Sequence, residues 1–307
     1  MLLDLTHHEI LSVAGADHRS FLGGLVTNQI NDVTASRCLH AAHLTPQGRF
    51  LWDFTMLQGE SRLLLVVEPG VARPLMDRLN FYRLRAKVTI AQETSLAMLG
   101  VAGPDAGAIM SRLFPGLPLA EASVGAVFVL EEGILLWADP RHAAFGWRML
   151  MPVATLPEWR ERLSGLTPLV DQAAWEDYRI RHSLPLGGRE LIPEEGFPLE
   201  GGLLEMHGVS FTKGCYVGQE TTARTHHRGT LKKRVFSLML SAGEVVAPGD
   251  PILLPDGKPA GVLTSVTAGT GERAGLGLLY LDDVERGKPL TVGGARVTAR
   301  KPDWATW

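Results

Sequence analysis

The sequence predicts an α+β fold, with two mixed α+β modules followed by an all-β, barrel-like C-terminal domain. Three observations lead there. The 307 residues suffice for about two domains, or three small ones. Over the first part of the chain, short runs of β-forming residues alternate with segments whose apolar residues recur at helical spacing. After Gly229 this alternation stops, and short strand-like pieces follow one another between Gly and Pro turns. The expected boundaries are residues 1–229 for the α+β region, divided into roughly 1–95 and 96–229, and 230–307 for the barrel.

In chain order, Glu9 to Ala14 has strand character and Gly15 breaks it. Asp17 is placed to cap a helix through Phe21, Leu22 and Leu25. A meander follows: Cys38 to Leu44, a turn at Pro46-Gln47-Gly48, Arg49 to Leu57, a turn at Gln58-Gly59-Glu60, and the apolar run Leu63 to Val67. Val71, Leu75, Leu79 and Tyr82 then predict a helix packed on that meander. The second module repeats the theme. Lys87 to Ala91 and Leu96 to Val101 read as strands, Pro104 suits a helix start, and Ala108 to Leu113 is helical. Val127 to Leu130, Ile134 to Ala138 and Trp147 to Met151 are further strands, and Trp159 to Leu163 and Gln172 to His182 further helices.

Residues 185–202 are too rich in Pro and Gly for a regular element and form a long loop, functional or linking. Arg234 to Leu240, Pro251 to Leu254, Ala260 to Val266, Gly275 to Leu281 and Ala295 to Arg300 are the pieces of the barrel.

Composition excludes several classes. Lys plus Arg number 30 and Asp plus Glu 33, a net charge of −3, so no broad basic surface for nucleic acid exists and direct nucleic-acid binding is not expected. With 45% hydrophobic and 21% charged residues the chain can bury a core. The apolar runs are broken by Glu68 and by Glu131 and Glu132, well short of the roughly 20 residues a membrane span needs, so no membrane partner is expected. The N-terminus has neither signal-peptide nor transit character, and a cytoplasmic address is the expectation. Two cysteines, Cys38 and Cys215, exclude a disulfide framework and are too few for an ordinary iron–sulfur cluster held by this chain alone, leaving one thiolate lent to a shared cluster as the option.

Nucleotide and serine-hydrolase motifs are absent. His40 and His43, three apart on a strand, point to opposite faces and make a weak metal site. The informative stretch is Val209 to Gly229. Cys215 follows Lys213 and lies between Gly214 and Gly218, just before a run from Val217 to His226 that can form a helix ending at Gly229. A thiol at a helix N-terminus beside a cation has its thiolate favoured, as a nucleophile or metal ligand requires. Glu220 and Arg224, four apart, pair or face one site. The bland alternative is an inert cysteine beside a structural ion pair. Arg228, Lys232, Lys233 and Arg234 form a basic cluster, either a solvated face or a seat for an anion.

Lys213-Gly214-Cys215-Tyr216-Val217-Gly218-Gln219-Glu220 followed by Ala223-Arg224 resembles the signature of the YgfZ family of folate-binding, T-protein-like proteins. With Phe211-Thr212 and Arg224-Thr225-His226-His227 added, it resembles the branch of the mitochondrial iron–sulfur assembly factor. Weaker matches are Gly15-Ala16-Asp17, Thr27-Asn28, Leu44-Thr45-Pro46-Gln47-Gly48-Arg49 and Tyr82-Arg83-Leu84-Arg85.

The resemblance implies a T-protein-like fold around a central, folate-sized cavity. It also implies a role in maturing or repairing [4Fe–4S] enzymes, with Cys215 as the functional thiol and metal ligand and an A-type iron–sulfur carrier as partner. The [4Fe–4S] clients would be reached indirectly, and a [2Fe–2S] centre would be shared through Cys215. Lys213, Gln219, Glu220 and Arg224 would shape that site, and Asp53, Arg181, Arg224 and Tyr216 would contact tetrahydrofolate. Two departures argue against aminomethyltransferase activity: the T-protein's paired aspartates fall on Trp52-Asp53, and its pterin-contacting glutamate falls near Arg181. The alternatives are a tetrahydrofolate-dependent transferase or demethylating enzyme with Asp53 as its acid–base group, and an accessory protein for tRNA modification.

Overall fold

The computed structural model describes residues 1–229, 231–243 and 245–307, so the expected start of the barrel domain at Thr230 lies outside the described residues. In chain order the first elements are β1 (Leu2–Asp4), β2 (Glu9–Ala14), α1 (His18–Gly23), β3 (Leu39–Leu44), β4 (Phe50–Gln58), β5 (Arg62–Val67), α2 (Ala72–Arg83) and β6 (Thr89–Gln92). Then come β7 (Leu96–Val101), α3 (Ala106–Leu113), β8 (Val127–Val129), β9 (Leu135–Ala138), β10 (Trp147–Pro152), α4 (Leu156–Ser164) and β11 (Leu169–Val170). The remainder is α5 (Gln172–Arg181), α6 (Gln219–Arg228), β12 (Lys233–Leu240), β13 (Pro251–Leu253), β14 (Pro259–Val266), β15 (Arg273–Tyr280), α7 (Leu281–Glu285), β16 (Leu290–Val292) and β17 (Ala295–Arg300).

The chain forms two compact units that interleave in sequence. The first comprises Met1–Leu44, Trp52–Asp171 and Met206–Val217, and the second Thr45–Leu51, Gln172–Glu205 and Gly218–Trp307.

The first unit is built on two sheets. One has the order β3-β4-β5-β2-β6, the other β11-β1-β7-β10-β9-β8. On the first sheet, Ala72, Leu75 and Leu79 of α2 are buried against Val13, Leu65 and Val67, because the stripe recurs once per helical turn. Each leucine so buried contributes about 1.5–3 kcal/mol. On the second sheet, Ile109 and Met110 of α3 and Trp159 and Leu163 of α4 cover Leu99, Leu136 and Met149 in the same manner. Strand β3 is buried along its whole length, so its two histidines need hydrogen-bond partners inside the protein.

Asp17 does not cap α1 through its side chain. Its carboxylate instead accepts the backbone N–H of Lys87 at 2.7 Å, fastening the irregular segment before β6. The helix also stops at Gly23 and does not reach Leu25, since Gly23 and Gly24 weaken its last turn.

In the second unit, β12-β15-β14-β13-β16-β17 close into a barrel. Phe236, Leu240, Ile252, Leu263, Leu279 and Val297 fill it from alternate positions of the strands. Strand β16 and helix α7 were not predicted, because segments of three and five residues carry too few positions to display a period. No helix of the described residues is long and apolar enough to cross a membrane.

The turn Thr45–Arg49 belongs to this unit and closes with Gly48 N–H donating to Thr45 O at 2.9 Å. Gly48 adopts φ +79°, and a Cβ there would lie 2.7 Å from Thr221 Cβ and 3.0 Å from Gly218 O at the start of α6. Gly48→Ala is therefore expected to cost about 1–3 kcal/mol from backbone strain plus the clash. A urea midpoint unchanged from the wild type would contradict this.

Candidate functional site

The segment Met206–Val217, which carries Cys215, is clasped within the first unit by side chains that seize its carbonyls. Thr27 Oγ1 donates to Gly208 O at 2.5 Å, Asn28 Nδ2 to His207 O at 2.7 Å, and His40 Nδ1 lies 2.9 Å from Met206 O. The backbone adds Ser210 N–H to Thr27 O and Val217 N–H to Gly24 O, at 3.0 and 3.1 Å.

Lys213 clasps in the opposite direction. Helix α1 ends with carbonyls that lack helical partners, and the buried Lys213 ammonium donates to Gly23 O at 2.9 Å and to Val26 O. Its Nζ also stands 4.8 Å from the centre of the Tyr216 ring. Burial pushes the Lys213 ammonium down to about 8. Lys213 thus anchors the loop, its ammonium spent on carbonyls of the α1 turn. Tyr216 is buried beside it, while Cys215 is exposed to solvent with open space around Gly214.

Helix α6 begins at Gln219, two residues later than expected, because Gly218 takes a left-handed conformation with φ +83°. Cys215 lies four positions before the first helical residue, so it does not sit in the first turn where the helix dipole acts. The helix ends at Gly229 in a left-handed cap, as predicted. Glu220 and Arg224 pair at 3.1 Å, both largely exposed, a contact worth about 0.3–0.5 kcal/mol.

A second feature of the first unit is a polar cavity lined by His8, His40, Asp53, Glu68, Trp137, Asp139, Arg141 and Arg148, among others. Asp53 on β4 accepts from or shares a proton with His40 Nε2 at 2.9 Å. Asp139 is buried and chelates Arg141 through Nε and Nη2 at 2.9 and 2.8 Å, with Arg148 Nε at 3.5 Å. Burial raises the Asp139 carboxyl, but the Arg141 guanidinium outweighs it and brings the group down to about 2. Glu68 is brought to about 2 as well, with burial opposed by His8 at 3.4 Å and by Arg141. Among the described residues, Trp137 and His8, which line this cavity, each carry a buried nitrogen without a hydrogen-bond partner, Nε1 and Nδ1 respectively. A buried indole N–H without an acceptor costs about 1–3 kcal/mol, which a bound acceptor would relieve.

Of the residues expected to contact folate, Asp53 alone lines this cavity. Arg181 sits on an exposed face of α5, paired with Asp177 at 2.7 Å, and Arg224 is the partner of Glu220 on α6. The basic cluster is also divided. Arg234 is drawn to Glu205 at 2.9 Å and Lys233 lies 4.7 Å from the Tyr280 ring, while Arg228 and Lys232 are exposed. Sequence reasoning weighed His40 only as half of a weak metal pair with His43, and it missed Trp137 and the Asp139–Arg141 chelate. The last had a local signal, an acidic residue two before an arginine across Pro140, and Trp137 had none because strand register decides it. Among the described residues, no group of three or more His, Cys, Asp or Glu side chains can hold a metal ion.

Comparison with known proteins adds kinship to this geometry. Residues 1–131 match the GCVT N-terminal domain, and residues 232–307 match the CAF17 C-terminal beta-barrel domain. The human protein "Iron-sulfur cluster assembly factor IBA57, mitochondrial" is 34% identical over 96% of this chain and 82% of its own length. The chain belongs to the IBA57/YgfZ family. Its YgfZ relative from Escherichia coli O127:H6, named a tRNA-modifying protein, is 28% identical over 84% of this chain and 77% of its own. Among solved structures, the aminomethyltransferase T of the glycine cleavage system from Bartonella henselae superposes with a TM-score of 0.83 at 18% identity. That match covers 98% of this chain and 84% of the other, and it shows that this IBA57/YgfZ member has the T-protein fold.

Proposed function

We propose that this protein is an iron–sulfur cluster assembly factor that supports the maturation or repair of [4Fe–4S] enzymes, with Cys215 as its functional thiolate. The observation that carries the reading is an exposed thiol on a segment otherwise clasped at both ends, with Lys213 and Tyr216 buried beside it, in a chain of the IBA57/YgfZ family. A free thiol presented on a fixed loop is suited to ligating cargo. The thiol gives its proton to solvent and its sulfur to one iron of a [2Fe–2S] cluster, and the remaining ligands come from an A-type carrier. Gln219, Glu220 and Arg224 follow in sequence on α6 and are the further residues this reading assigns to the carrier. The [4Fe–4S] enzymes are clients downstream of this handover.

Tetrahydrofolate is the ligand this reading assigns to the polar cavity. The donor set suits the polar edge of a pterin: Trp137 Nε1–H lacks an acceptor, and Asp53 and Glu68 would accept from ring N–H groups. When bound, folate would supply a one-carbon carrier. This chain's part is to orient its head through Asp53, Trp137 and Arg141.

The kinship with a tRNA-modifying protein supports a second reading, in which clusters are supplied to a tRNA-modifying enzyme without direct binding of RNA. The expected result in a strain lacking the gene is that wild type restores [4Fe–4S] enzyme activity and Cys215→Ser leaves it at the level of the empty strain. Full restoration by Cys215→Ser at equal expression would overturn the proposal.

A further inference from the structure

The imidazole of His40 lies between two hydrogen-bond acceptors. Its Nδ1 is 2.9 Å from the carbonyl oxygen of Met206, and its Nε2 is 2.9 Å from Asp53 Oδ2. A neutral imidazole carries one N–H. If that hydrogen meets Met206 O, a bare nitrogen lone pair faces an ionised carboxylate. If it meets Asp53, a lone pair faces the carbonyl. Both contacts are hydrogen bonds only when the pair holds one proton more, as an imidazolium with a carboxylate or as a neutral imidazole accepting from the Asp53 carboxyl O–H. His40 is 3% exposed, so bulk water does not stand in for either partner.

The charged surroundings fall on one side. Glu68 and His8 at the edges of β5 and β2, and Asp139, Arg141 and Arg148 around β9 and β10, line the same cavity as Asp53. On the other side, among the described residues, the hydrogen-bonding partners are peptide and amide groups: Met206 O, and Asn28 Nδ2, which donates at 2.7 Å both to His40 O and to His207 O. Met206 opens the segment that carries Cys215. Of the side chains that clasp this segment, His40 and Lys213 are titratable, and His40 alone touches a cavity-lining carboxylate.

We propose that His40 and Asp53 form a proton-bridged latch that positions the Cys215-bearing segment and ties its mobility to whatever occupies the Asp53 cavity. A ligand that offers Asp53 an N–H donor competes with His40 for the carboxylate. The bridging proton is then lost or rearranged, the Met206 contact weakens, and the thiol loop loosens. His40 acts here as a positioning residue. Its importance for function rests on the Cys215 reading, but the latch does not, because it is measurable without cluster, carrier or client.

The test compares Asp53→Asn, Asp53→Leu and Cys215→Ser with the wild type. An asparagine amide donates to a bare Nε2, so Asp53→Asn keeps the latch with one proton fewer, and leucine cannot. Expected are His40 ring ¹⁵N resonances in the wild type that report the additional proton at neutral pH, and its absence in Asp53→Asn. Amide hydrogen exchange over residues 206–212 is expected to rise roughly tenfold in Asp53→Leu and to stay near wild type in Asp53→Asn and Cys215→Ser. Equal exchange in all three variants, or a wild-type His40 with a bare, unprotonated Nε2 facing ionised Asp53, would overturn the latch. Failure of Cys215→Ser to impair enzyme maturation would overturn the thiol reading alone.

Discussion

Glu190→Ala is expected to destabilise the barrel-containing unit by about 3–5 kcal/mol, because it strands a buried guanidinium. Arg179 on α5 and Glu190 in the Pro- and Gly-rich loop have no solvent exposure and meet at 3.2 Å. Glu190 is the hub of this network. Its Oε2 also accepts Leu186 N–H at 2.9 Å, and its Oε1 accepts Ser265 Oγ at 2.6 Å and Thr264 Oγ1 at 3.2 Å, which binds the loop to β14. Without the carboxylate, Arg179 retains Glu176, which is partly exposed, and the hydroxyl of Ser265. The loss should show as a lower urea midpoint with an unchanged slope. Removing both ends with an apolar pair, Arg179→Met with Glu190→Leu, should cost less than the single change, since no fully buried charge is then left unpaired and Glu176, which also loses Arg179, is partly exposed. A single-variant loss below about 1 kcal/mol would contradict the account.

Asp139→Ala should be comparably costly in the other unit, again about 3–5 kcal/mol, because Asp139 is the buried counter-ion of both Arg141 and Arg148. It should also change the acid limb of stability. The folded Asp139 carboxyl is held near 2, below its ordinary 3.8, so the unfolded chain binds the proton first as pH falls. The contribution is fully present above about pH 4 and is lost as pH drops towards 2, an amount of about 2 kcal/mol. Glu68 loses its contribution in the same direction. Wild-type stability should therefore decline between about pH 4 and 2 more steeply than that of Asp139→Ala. Parallel declines would show that the chelate does not carry the effect.

These networks mark the limit of what the sequence discloses. Periodicity placed α2, β5 and the barrel strands, because Leu75 and Leu79, or Phe236, Leu238 and Leu240, repeat at the interval their element imposes. The glycines at 48 and 229 were legible as turn and helix end for the same local reason, a left-handed backbone. Helix α6 was legible too, though Gly218 moved its start, and that shift removes Cys215 from the first turn. The long-range partners were illegible. That Lys213 reaches the α1 carbonyls, that His40 bridges Asp53 to Met206, and that Arg179 rather than Arg181 turns inward all depend on register and crossing of distant segments. Single-residue chemistry cannot supply those. Trp137 gives the plainest case, an apolar strand residue in the sequence and an orphaned donor at a cavity in the fold.

The central claim is that Cys215 shares a cluster with a carrier. The direct test is anaerobic mixing of the protein with an A-type carrier, iron and sulfide, followed by visible absorption and size exclusion, for wild type and Cys215→Ser. The account predicts a coloured heterodimer with wild type and none with Cys215→Ser. A coloured complex formed equally by both, or by neither, would contradict it.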